Sequence, residues 1–192
     1  MLNSPSLRVP FFDRVALLAL LTALWLAGTA GMAAEIDEKS AVFNQIADKV
    51  LAQAVTGKVD VAAAHKDLAA MIDLATWFAG QYKTKFPAGA KTMDFMLTQK
   101  DLLAGMTLTG IDEGFEAQAI HTKHGKELGI DLTDEDNEHF GNVIDLFVHP
   151  ATASIVLGMW AKDRKPEYLK RAVSELQEVK EHCQKVVAKL KK

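Results

Sequence analysis

The sequence predicts an all-α protein, with a four-helix-bundle-like core of long helices and additional short helices. Apolar residues recur every three or four positions along most of the chain, which is the pattern of one buried helix face. No stretch shows the sustained two-residue alternation of a half-buried strand. Glycines and prolines stand between the periodic segments and mark their ends.

The N-terminus has the pattern of an export signal. Arg8 and Arg14 precede an apolar run from Val15 to Ala27, and small residues follow it as far as Ala34. This order is typical of a secretory signal peptide. The run is shorter than the roughly 20 residues that a membrane-spanning helix needs. We therefore predict that the leader is cleaved, with an uncleaved membrane anchor as the alternative.

The predicted organisation is a signal peptide at 1–34 followed by a single helical domain at 35–192. We expect the mature protein to be periplasmic or secreted, with no stable membrane insertion after cleavage. Removing Arg8, Arg14 and Asp13 with the leader takes the net charge from −3 to −4. A mildly acidic chain offers no basic field for nucleic acid. The one cysteine excludes an internal disulfide.

Capping residues and prolines set the predicted helix boundaries. Asp60 and Thr109 are suited to N-caps, and Pro166 to the first turn of the last helix. Pro150 should interrupt a helix, because the residue before a proline avoids the helical region. The predicted helices are Asp37–Thr56, Asp60–Lys85, Lys91–Ala104, Thr109–Leu128, a segment from Thr133 to the His149–Pro150 break, Ala151–Ala161, and Pro166 to the C-terminus.

The last helix carries a regular apolar stripe that includes Leu176, Val179, Cys183 and Val186. Cys183 is therefore interpreted as a small core residue. A stripe of this kind can also pair with a second copy of the chain. A homodimer through the C-terminal helix is the expected partner interaction.

Histidines are concentrated in one stretch, Thr109 to Pro150, which holds four of the six. His121 and His124 lie three positions apart, so one helix face can present both imidazoles to a single metal ion. The alternative is that His121 is a hydrogen-bonded, half-buried residue and His124 is solvated. H-x-x-H alone is a weak signal, so further ligands must come from elsewhere.

The expected additional ligands are His139 or His149 together with Glu113 or Glu116. His139 and His149 are ten residues apart, about 15 Å along a straight helix, so both could join one ion only if the chain bends at Pro150. Histidine and carboxylate from facing helices suit iron, copper or zinc. Non-covalent haem on a histidine such as His121 or His149 is the other cofactor considered.

The sequence leaves two other functions open. A small organic ligand could occupy a pocket lined by aromatic and methionine side chains. The candidate lining residues are Trp77, Phe78, Tyr82, Met93, Met96 and Trp160. The bundle could also be purely structural or partner-binding. Catalysis is the least supported class, because no nucleophile, base and orienting group can be assembled from the sequence.

Overall fold

The computed structural model describes the backbone of residues 11–103, 105–115 and 134–192, and the side chains of 31–103, 105–115 and 139–192. Every regular element in these ranges is a helix, and they contain no strand. The all-α prediction is therefore confirmed. The chain divides into two compact units, Met1–Asp37 and Glu38–Lys192. Export and cleavage of the leader stay predictions.

The helices are numbered here in chain order. They are α1 (Phe11–Thr56), α2 (Val61–Lys85), a 3-10 turn (Pro87–Gly89), α3 (Ala90–Leu103), α4 (Leu108–Gly114), α5 (Asp134–Asp163) and α6 (Pro166–Lys191).

Local capping explains where three helices begin. The Asp60 side chain accepts a hydrogen bond from the Ala63 backbone N–H at 3.1 Å, and Pro166 occupies the first turn of α6, both as predicted. In α4 the cap is Thr107, whose hydroxyl accepts from the Gly110 N–H at 3.1 Å. The prediction that Thr109 caps this helix was wrong by two residues. The predicted continuation to Leu128 lies outside the described residues.

Helix α5 continues through Pro150, so the predicted interruption there was wrong. Proline removes one intrahelical hydrogen bond and crowds the preceding turn. The residues on both sides of Pro150, from Leu146 to Val148 and from Ala151 to Ala153, are buried. Burial of this apolar run against the neighbouring helices outweighs the local preference of proline, as tertiary packing often does.

Helix α5 is the central element of the second unit. It packs against α6 and α2, and to a lesser extent against α3 and α4. Among the described residues, its segment His139–Asp163 is long and apolar enough to cross a membrane, but 67% of its apolar 18-residue stretch is buried inside the structure. Such burial is what a core helix of a folded domain has.

The part of α1 that belongs to this unit packs beside α2 and α6. The Phe43 ring meets Phe78 of α2 edge to face, with centroids 6.4 Å apart. Asp48 pairs with Lys180 of α6, and the Ser40 hydroxyl lies 3.7 Å from the Cys183 sulfur. The core is thus assembled from segments far apart in sequence.

The stripe of α6 is buried within the chain, including Leu176, Val179, Cys183 and Val186. The thiol of Cys183 is a core group, as predicted, and burial raises its pKa to about 11 despite the contact with Ser40. The homodimer stays a prediction. Since the stripe is already covered, a dimer would have to use other faces of α6.

Most of the residues considered for an organic pocket are core residues. Phe78, Tyr82, Met93 and Met96 have no exposed surface. The Tyr82 ring packs on Phe86 at a centroid distance of 4.9 Å, and burial raises the pKa of the Tyr82 hydroxyl. These side chains fill the interior instead of lining an open pocket.

Gly89 provides a test of the packing between the 3-10 turn and α5. A Cβ at Gly89 would lie 2.1 Å from the Phe140 ring, whereas one at Gly80 in α2 would meet nothing within 4 Å. We expect Gly89→Ala to lower the free energy of unfolding by about 1–3 kcal/mol, the usual effect of overpacking. Gly80→Ala should raise it by up to about 1 kcal/mol, through helix propensity. Urea unfolding of both variants measures these free energies, and equal effects would contradict the close contact between Gly89 and Phe140.

Candidate metal centre

Asp145 and His149 of α5 and His182 of α6 form a cluster of metal-ligating side chains. One ligand atom from each lies within 4.8 Å of the others. Asp145 and His149 are four residues apart and therefore share a helix face. The two imidazoles are stacked, with centroids 5.2 Å apart and planes inclined by 18°. Two helices thus bring two nitrogen donors and one oxygen donor together.

Glu175 of α6 fixes the orientation of His149. The His149 Nδ1 lies 2.6 Å from the Glu175 carboxylate, and both side chains are nearly buried. Because the carboxylate accepts, Nδ1 must carry the proton and donate. The other ring nitrogen, Nε2, is then the one available to a metal ion. A carboxylate that holds a histidine in this way is a common support of metal-ligating histidines.

Asn142 holds His182 in the same manner. The His182 Nδ1 lies 2.7 Å from the Asn142 amide oxygen and 3.4 Å from a carboxylate oxygen of Asp145. An amide oxygen accepts hydrogen bonds, so Nδ1 again donates, and Nε2 keeps its lone pair. His182 is therefore held in the tautomer whose Nε2 can act as a ligand, whereas a protonated His149 must first release its Nε2 proton.

Arg171 compensates the buried charge of Glu175. The Arg171 Nε donates to the second oxygen of Glu175 at 3.0 Å, and an Nη atom donates to Asp112 of α4 at 2.8 Å. A buried carboxylate is costly unless its oxygens are paired with hydrogen-bond donors. Here both oxygens have a donor. The chain of contacts Asp112–Arg171–Glu175–His149 joins α4, α6 and α5 at the site.

The two histidines differ in protonation. Burial lowers the pKa of His149, but the hydrogen bond to Glu175 and the charges of Asp145, Glu175 and Glu178 outweigh it, so that pKa is raised overall. The pKa of His182 is lowered to about 4 by burial and by the positive charges of His149 and Lys185. Without a metal ion, the positive charge of the pair therefore resides on His149.

The cluster opens onto a cleft of about 750 Å³ between α5 and α6. Four carboxylates line it, on Asp112, Asp145, Glu175 and Glu178, against the two permanent cations Lys170 and Arg171. This balance favours a cation as the bound species. The cleft is large enough for solvent or a small molecule to reach the ligand atoms.

The residues that the sequence predicted as metal ligands do not all lie at this cluster. His149 belongs to the cluster. His139 packs among aromatic rings, 4.4 Å from Phe140 by centroid, and lies ten residues before His149 in the same continuous helix. That separation is about 15 Å along the helix axis, too far to share one ion. Glu113 is exposed on α4, and its neighbour Asp112 is the residue that contacts Arg171.

The remaining expected ligands, His121, His124 and Glu116, lie outside the described residues. Asp145 and His182 were not among the residues expected from sequence. Their signal was the spacing Asp145-x-x-x-His149, which puts two ligands on one helix face. His182 borders the buried stripe of α6, so the sequence also allowed the prediction that His182 lies at a helix interface.

No protein-family model, curated protein or solved structure matches this chain. The fold and site therefore define it only as an all-α protein with a histidine–carboxylate cluster between two core helices.

The protonation of the cluster predicts how stability depends on pH in the metal-free protein. The folded-state pKa of His182 is about 4, below the ordinary value of about 6.5. As pH falls from 6.5 to 4, the unfolded chain takes up a proton at His182 that the folded chain refuses, so stability falls. His182→Gln should remove up to about 3 kcal/mol of this acid-side loss.

His149 is the control, because its shift has the opposite sign. The pKa of His149 is raised in the folded protein. Its contribution to the free energy of unfolding is therefore complete below pH 6.5 and is lost as pH rises through the folded-state pKa. His149→Gln should flatten the alkaline side of the curve, and it should weaken the acid-side loss only in part, because the charge of His149 is one of the causes that lower the pKa of His182 and burial is the larger one. Urea unfolding with a chelator present, at several pH values, measures both slopes. If neither variant alters its own side of the curve, the assigned protonation states are wrong.

Proposed function

We propose that this chain is an exported helical-bundle protein that binds one divalent transition-metal ion at Asp145, His149 and His182, without catalysing a reaction. The observation that carries the proposal is the convergence of these three side chains from two helices. The hydrogen bonds that Glu175 and Asn142 make to the two Nδ1 atoms support it. Export rests on the leader pattern in the sequence.

The ligand set favours a borderline metal ion such as zinc, copper or iron over magnesium or calcium. Imidazole nitrogen is preferred by the former, and all-oxygen sites by the latter. In a tetrahedral site with bonds of about 2 Å, ligand atoms are roughly 3.3 Å apart. The ligand atoms now lie within 4.8 Å of one another, so their separations would shorten by up to about 1.5 Å on binding.

A metal ion fits this site better than haem does. Two histidines that ligate one haem must point at the iron from opposite sides of the porphyrin. The His149 and His182 rings instead lie face to face at 5.2 Å, which leaves no room for a macrocycle between them. Haem ligated by a single histidine of this pair would also have to displace the charged groups of the cleft.

The proposal predicts stoichiometric metal binding that depends on the cluster. Calorimetric titration of the chelator-treated protein with Zn²⁺ or Co²⁺ should give one ion per chain. Asp145→Asn, His149→Gln and His182→Gln should each weaken the affinity by at least about a hundredfold, because each removes a ligand. Co²⁺ absorption should report the change in coordination directly.

His65→Gln is the matched control, since His65 is an exposed histidine of α2 far from the cluster in sequence. It should bind metal as the wild type does. A double change of His121 and His124 to Gln separates this site from the one expected from the H-x-x-H spacing. Loss of binding in that variant alone, with His149→Gln and His182→Gln unaffected, would contradict the proposal.

Glu175 should act as a positioning residue. Glu175→Gln keeps the shape of the side chain but removes the charge that holds His149 Nδ1–H. We expect Zn²⁺ affinity to fall by about 10–100-fold while the stoichiometry stays at one. Glu181→Gln, an exposed acid beside His182 in sequence, should change affinity far less. Equal effects of the two variants would mean that only overall charge matters.

A further inference from the structure

A second groove lies on the other side of α5, where this helix meets α2. It encloses about 470 Å³, which is within the usual range for small-molecule sites. Its walls are mainly apolar, with Leu68 and Ile72 from α2 and Ala151, Ile155 and Met159 from α5. The groove uses none of the residues of the metal centre.

A polar contact lies within this groove. The His65 Nδ1 of α2 lies 2.5 Å from the Ser154 hydroxyl of α5. The Nε2 edge of the same ring faces Gly158, 3.7 Å from where a Cβ would stand. A side chain larger than methyl at Gly158 would therefore cover the Nε2 edge. With glycine there, His65 can present a donor to a ligand lying in the groove.

The charge of the groove is one-sided. Its ionisable lining residues are His65 and Lys162, and no carboxylate is among the described residues that line it. Lys162 is exposed, and it makes no ion pair with the part of the chain that the structure describes. The metal cleft, by contrast, has four carboxylates in its lining. The two openings thus suit ligands of opposite charge.

We infer that this groove binds a free fatty-acid anion. The carboxylate would lie at His65 and Lys162, and the alkyl chain would follow the apolar walls toward Ile72 and Ala151. The stretch from Gly158, beside His65, to Ala151 is about 10 Å along α5, so the groove suits an alkyl chain of medium length. Apolar contact supplies the affinity, and the basic end selects the sign of the head group.

The test compares three probes that share a ten-carbon alkyl chain and differ in head group: decanoate, decanol and decyltrimethylammonium, each below its micelle concentration. Calorimetry with the full-length protein should give one decanoate per protein molecule and at least about tenfold weaker binding of the cationic probe. Lys162→Glu should invert that preference. Lys66→Glu changes an exposed lysine next to His65 that does not line the groove, and should leave the preference as in the wild type.

Gly158→Leu tests the location independently of charge. The new Cβ would be at ordinary contact distance from His65, and Gly158 lines the groove, so the rest of the leucine side chain has the groove to occupy; leucine also favours helix more than glycine does. This variant should lose decanoate binding at least about tenfold without a lower free energy of unfolding. Absence of saturable decanoate binding in the wild type, retained binding in Gly158→Leu, or an unchanged preference in Lys162→Glu would each overturn the inference.

Discussion

The buried carboxylate of Glu175 is the constraint on which the arrangement of α5 and α6 depends. A charge removed from water must find donors within the structure, and Glu175 takes them from Arg171 and His149. These two donors come from different helices, so the pairing fixes α5 against α6. It also fixes the His149 ring, whose free edge then faces the cleft. The geometry of the candidate metal centre follows from the requirement to compensate one buried charge.

The same constraint explains why the two histidines differ. Glu175 and the neighbouring acids hold a proton on His149, and the resulting positive charge, together with burial, keeps His182 neutral. A neutral imidazole can keep an amide oxygen as its partner, which is the role of Asn142. The metal-free cluster thus carries one positive charge, on the protonated imidazole of His149. A divalent metal ion would place two positive charges there. The four carboxylates of the cleft make that exchange electrostatically reasonable.

The helices of the second unit followed from the sequence, whereas the site did not. Apolar spacing located α2, α3 and α6, and Asp60 and Pro166 marked two helix starts, because side-chain capping and the fixed φ of proline are local effects. Pro150 misled the prediction, because burial around it is decided by other helices. The cluster joins His149 to His182, which are distant in sequence. Their meeting depends on the rotation of α6 about its axis, and that is set by Glu175, Arg171 and the stripe together.

Helix α5 shows how a core helix can line two unlike openings. Asp145, His149 and Thr152 follow one another at four and three residues and face α6, while Ala151, Ile155 and Gly158 repeat the same spacing toward α2. Both faces are enclosed, so the helix is apolar enough overall to resemble a membrane span. Each face has a polar residue that meets a polar partner, His149 at Glu175 on one side and Ser154 at His65 on the other. A helix at the surface has one packed face and could build only one such site. The central position of α5 is therefore what allows an acidic cleft and a basic groove to exist in a domain of this size.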